Sequence, residues 1–107
     1  MKPELIFHTE GFAARGDLAT LASRRADILL RSHPELARIR LTVVYETLPS
    51  GTGVYAASGC VNWPEGGTSA IEIAHDADAV IQRVFVRLDR QLAPAESEAP
   101  VPVGSRK

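Results

Sequence analysis

The chain has 107 residues, 45% hydrophobic and 23% charged, and its twelve Lys and Arg against thirteen Asp and Glu give a net charge of −1. This is the composition of one globular domain that can bury a core without covalent staples, and it excludes a protein that holds polyanions through bulk charge. The lone Cys60 excludes an intrachain disulfide and suits a reducing compartment.

Residues 4–8, ELIFH, are apolar and partly β-branched, which predicts a short strand. Asp17 stands where an N-cap belongs, ahead of LATLASRRADILLRS. There Leu18, Leu21, Ala22, Ile28 and Leu29 recur at helical spacing as one apolar face. Pro34 ends this helix near Ser32, because the residue before a proline resists the α region. Residues 38–46 alternate: Ile39, Leu41, Val43 and Tyr45 point one way, Arg40, Thr42, Val44 and Glu46 the other. LPSGTG is a turn, with Ser50-Gly51-Thr52-Gly53 as a hairpin loop rather than a phosphate cradle, since a strand and not a helix follows it. Residues 54–62 form a weaker strand with Gly59 as a possible bulge. WPEGG turns again, and residues 68–74 form a fourth strand.

The strongest periodicity follows. Asp76 caps a helix in which Ala77, Val80, Ile81, Val84, Phe85, Leu88 and Leu92 keep the i, i+3, i+4, i+7 rule over four turns. Pro94 stops it. Residues 94–107 hold three of the prolines, two glutamates and no aromatic, and are expected to be disordered. The order is β-α-β-β-β-α. Short turns make strands two to four an antiparallel meander, and two amphipathic helices bury their stripes most economically on one sheet face. The expected fold is therefore α+β, a two-layer sandwich of a four-stranded sheet with both helices on one face. Ile39, Leu41, Val43, Ile71, Ile73, Leu21, Leu29, Val84, Phe85 and Leu88 are expected in its core.

The candidate functional residues are arginines. At 100° per residue Arg83, Arg87 and Arg90 fall within about 60° of one another beside the last helix's stripe, while Val86 lies almost opposite that stripe. On the first helix Arg24 and Arg31 lie nearly in line. Arg25 falls inside the apolar stripe and must snorkel or find a partner. Side-by-side helices would join these residues into a basic strip. One reading is contact with nucleic-acid phosphates. The other is a solvated face with local ion pairs: Asp27 with Arg24 and Arg31, Glu72 or Asp76 with Arg83. His8, His33 and His75 lack metal-ligand spacing, although His8 and His75 both end strands and could be neighbours. Nothing assembles a nucleophile, a base and an oxyanion site. No enzyme activity, metal or cofactor is expected. The first apolar run is too short for a signal peptide and none reaches the ~18 residues of a membrane span, so a soluble cytoplasmic protein is expected.

From about residue 5 to 93 the chain resembles the short hibernation-promoting factor / ribosome-associated inhibitor A family. The resemblance lies in the element order and in the last helix, with Asp76, Val80-Ile81 and then Arg87-Leu88-Asp89-Arg90-Gln91-Leu92. In the first helix Arg25, one turn before Leu29, and Arg31 match common basic positions. The chain departs from the pattern at Asp78, where the family often has Tyr, at Val86, where a polar residue is usual, and in having only Lys2 and Lys107 as lysines. The resemblance implies a bacterial domain at residues 1–93 that binds the small ribosomal subunit near its tRNA and mRNA sites and keeps idle ribosomes inactive under stress. It implies 16S rRNA contacts by Arg25, Arg31, Arg87 and Arg90. Arg24 and Arg83 match no family base and are weaker candidates. It also implies the short form, without the second domain that pairs ribosomes, and a monomer when free, with no DNA or membrane partner. Two alternatives stand beside it: an RNA-binding module for another target, since α-β-β-β-α is also the order of double-stranded-RNA-binding domains, and a divergent member working through protein contacts at Val86.

Overall fold

A computed structural model of the chain describes residues 4–13 and 16–92. Its elements run β1 (Glu4–Glu10), α1 (Gly16–Ser32), β2 (Arg38–Thr47), β3 (Gly53–Trp63), β4 (Gly66–Ala74) and α2 (Ala77–Leu92). The expected β-α-β-β-β-α sandwich is the observed one. The expected disorder of residues 94–107 falls outside the described residues.

The sheet order is β1-β2-β3-β4. Strand β1 pairs with β2 in parallel, Leu5 opposite Ile39 and Phe7 opposite Leu41, because α1 carries the chain back before β2 begins. Strands β2, β3 and β4 form the antiparallel meander, with Leu41 opposite Gly59 and Gly59 opposite Ala70. The β2–β3 hairpin closes through Leu48, whose N–H donates to the Thr52 carbonyl at 2.8 Å, and through Gly51, whose φ of 95° needs glycine. The Asp76 cap forms as expected: its Oδ2 accepts from the Ala79 N–H at 3.1 Å. Asp17 is not an N-cap, because α1 already begins at Gly16; it lies in the first turn, where its charge complements the helix dipole.

Leu18, Ala22, Ala26 and Leu29 of α1 and Val80, Ile81, Val84, Phe85 and Leu88 of α2 bury against Ile39, Leu41, Val43, Ala57 and Val61. Two cross-links set the helix directions. Arg25 reaches Gln82 and His33 reaches Asp89, so both numbers rise together and α1 and α2 run roughly parallel.

The core expectation needs correcting in β4. Ile71 and Ile73 are 63% and 57% exposed. They lie on the open face of the sheet, and Ala70 and Ala74 turn toward the helices instead. The reason is the close approach of α2. Gly59 is no bulge, since pairing runs through it without a break. A Cβ there would stand 2.9 Å from Leu88 Cδ1 and 3.3 Å from Val84 Cγ2. The helix thus rests in a trough of Gly59, Ala57, Ala70 and Ala74, where isoleucine would be overpacked. Two smaller corrections fall on α1: Leu21 is half-buried, and Ile28, assigned to the apolar face, is 53% exposed. Tyr45 leaves the buried row as well. It is 38% exposed, with its ring against Gly53 and its centroid 5.0 Å from that of Tyr55.

Candidate nucleic-acid interface

The outer surface of the two helices carries all six candidate arginines. Each helix holds three arginines and two aspartates, so this layer is basic within a chain of net charge −1. Along α2 the 100° step puts Arg87 toward β4, Arg83 and Arg90 outward, Val86 at the solvent pole, and Gln82 and Asp89 toward α1. On α1, Arg25 and Ser32 face α2, Ile28 lies on the shoulder, and Arg24 and Arg31 lie beyond it. The arginines stand on both sides of the seam between the helices, with Ile28, Val86 and Asp89 among them.

The guanidinium groups differ in what they already hold. Arg87 Nη1 donates to Glu72 Oε2 at 2.7 Å, and the Glu72 side chain is only 24% exposed. Arg83 Nη1 donates to the Ile73 main-chain carbonyl at 3.2 Å. Both are tied to β4, and Gln91 joins them by accepting from Thr68 Oγ1 at 3.1 Å. Half-buried Arg25 snorkels out of the stripe and donates to Gln82 Oε1 at 3.2 Å. Arg24, Arg31 and Arg90 have no partner among the described residues. The expected local ion pairs do not form: Asp27 meets neither Arg24 nor Arg31, Glu72 takes Arg87 rather than Arg83, and Asp76 is spent on its cap.

Between the helices the strip sinks into a recess of about 190 Å³ floored by Leu29 and Phe85, with Ile28, Val86, Arg25 and Arg90 around it. A broader, shallower basin of about 860 Å³ adjoins it over Arg83, Arg87 and Glu72. Val86 is 46% exposed, in agreement with its position opposite the stripe. Beneath the recess is a pair that sequence reading missed. His33 is 3% exposed, and its Nε2 lies 3.0 Å from Asp89 Oδ1. With Nε2–H as donor, Nδ1 is left buried without a partner. The two residues are 56 apart in sequence, and no local pattern links them.

The remaining candidates are dispersed. His8 bonds Glu10 at 3.3 Å on β1, whereas His75 follows β4 at the opposite border of the sheet, so these histidines are not neighbours. Cys60 is half-buried on the open face. No group of three or more His, Cys, Asp or Glu could hold a metal ion among the described residues, and no helix among them is long and apolar enough to cross a membrane.

The geometry is that of an α+β sandwich that presents a basic helical layer on one side and a bare sheet on the other. No family model matches the sequence, and no curated protein matches it. Solved structures share the fold. A ribosomal subunit interface protein from Coxiella burnetii superposes with a TM-score of 0.76 at 14% identity, over 89% of this chain and 99% of that one. The N-terminal domain of Protein Y from Thermus thermophilus gives a TM-score of 0.65 at 18% identity, over 90% of this chain and 100% of that one.

Proposed function

We propose that this chain carries a hibernation-promoting factor domain, at residues 1–93, that binds 16S rRNA of the small ribosomal subunit near the tRNA and mRNA sites and holds idle ribosomes inactive in the bacterial cytoplasm. The observation that carries the reading is the unpaired arginine set. Arg24, Arg31 and Arg90 are exposed on one face with no protein partner among the described residues, on a fold shared with a protein described as a ribosomal subunit interface protein. Arginines that spent their hydrogen bonds internally would be a structural surface. These three keep their donors for bidentate phosphate contact. Arg25 and Arg87 add charge to the strip while each holds one internal bond. The chain acts by occupying a site on RNA and not by catalysis.

Co-sedimentation with purified small subunits at two salt concentrations tests this. Binding is expected at low salt and should fall steeply as salt rises, since each phosphate contact releases counterions. Absence of the chain from the subunit pellet even at low salt would overturn the reading.

A further inference from the structure

A surface that only gripped phosphates would have no use for an aspartate and two exposed aliphatic side chains in its middle. All three are here. Exposed Ile28 and Val86 form the two lips of the inter-helix recess, buried Leu29 and Phe85 floor it, and Asp89, Arg25 and Arg90 line it as well. The recess holds about 190 Å³, on the order of six waters at ~30 Å³ each. That is room for one planar ring system and too little for a nucleic-acid helix. It is smaller than the ~300–1,000 Å³ pockets that enclose whole small ligands, but it shares their construction of apolar walls with a few convergent polar groups.

The polar groups narrow the ligand. Asp89 Oδ1 is held by His33 Nε2 at 3.0 Å, and the side chain is still 55% exposed. A carboxylate has about four lone-pair sites, so both oxygens can still accept, and the buried imidazole fixes where they stand. A fixed carboxylate takes two parallel N–H donors. The guanidinium group of Arg25 beside it supplies donors to ring nitrogen and carbonyl acceptors. Among the nucleobases guanine alone offers both halves: two adjacent donors, N1–H and N2–H, on one edge, and the acceptors O6 and N7 that arginine pairs with. Adenine and cytosine present no such pair of donors, and uracil has a single N–H.

We infer that the α1–α2 recess seats one unpaired guanine of the bound RNA, with Ile28 and Val86 against its faces, Asp89 on its N1–H/N2–H edge, and the flanking phosphates on Arg31 and Arg90. This rests on the RNA-binding reading above and gives it a base preference. Sequence-specific RNA recognition works through such splayed-out bases. An acidic peptide with an aliphatic side chain would suit the arginines and the walls, but it would meet the Asp89 charge at the point of insertion.

The test is fluorescence-anisotropy titration of the full chain with short oligouridylates carrying one central guanine, adenine or inosine, run beside subunit co-sedimentation. The guanine oligomer should bind about tenfold more tightly than the adenine one, and inosine, which lacks the N2 amino group, should fall between. Asp89→Asn keeps an oxygen for His33 and should erase the guanine preference without weakening the plain oligouridylate. Val86→Ser should weaken the guanine and inosine oligomers and leave the plain oligouridylate unchanged. Equal affinity for every oligomer, or a guanine preference that survives Asp89→Asn, would overturn the seat while leaving subunit binding intact. Failure of both oligomers and subunits to bind at low salt would remove the RNA reading and the seat with it.

Discussion

The three arginines of α2 lie within about 60° of one another around the helix and are used differently. Toward β4, Arg87 pairs with Glu72 and Arg83 with the Ile73 carbonyl. Toward α1 and the solvent, Arg90 has no partner among the described residues, and Arg25 across the seam holds only a neutral glutamine. One flank fastens the helix to the border of the sheet and the other faces outward with its donors unspent. Helical periodicity is blind to this difference, because it reports direction from the axis and not what waits there. Glu72 and Ile73 are 15 and 10 residues from their arginines and enter through the sheet register alone.

The contrast can be broken by substitution, and the largest effect should come from the outward set. An Arg24→Ala, Arg31→Ala, Arg90→Ala variant should lose most of its subunit binding. Its slope of log K against log salt should become shallower by roughly 0.7 for each single-stranded phosphate that the variant no longer holds, with thermal stability nearly unchanged. Parental binding by this variant would sink the division between the flanks. Arg87→Ala should show the reverse balance: a stability loss of about 1 kcal/mol in urea unfolding, since a partly buried carboxylate loses its partner and the exposed arginine end limits the gain from the pair, and a smaller loss of binding than the outward set. An Arg87→Ala, Glu72→Gln double variant should recover part of that stability, which would locate the effect in the pair itself.

Smaller still is the expected effect on the open face of the sheet. Ile71→Thr and Ile73→Thr should each change stability by less than about 0.5 kcal/mol, because both side chains are already in water. Ala70→Val, one position away and facing α2, should cost on the order of 1–3 kcal/mol through overpacking. If the isoleucine changes prove the costlier, β4 has been assigned to the wrong face.

That last pair shows what the sequence could not settle. In A-I-E-I-A the alternation is plain, and isoleucine is the natural choice for the inside. The phase was legible and the face was not, since it depends on how closely α2 approaches and therefore on Gly59, a residue that reads locally as a bulge. The helix stripe, the Asp76 cap, the hairpin loop and the two-layer order were all legible because each is decided within a few residues. The candidate site was legible in its arginines and in the exposure of Val86. The His33–Asp89 pair was not, because His33 lies just beyond α1 and its partner belongs to the last turns of α2. Nor was Ile28, which at 100° per residue falls near the edge of its stripe and turns out on the lip of a recess.

Strand β4 is also the margin of the sheet, and with two isoleucines in water it offers neighbouring molecules a place to add a strand. Arg83 stands across that margin with its guanidinium on the Ile73 carbonyl, so one of the acceptors an incoming strand would need is already occupied, and by a positive charge. A charge held on an edge acceptor is one of the devices by which sheets blunt their open margins, and an arginine counted only as part of a binding surface would conceal it.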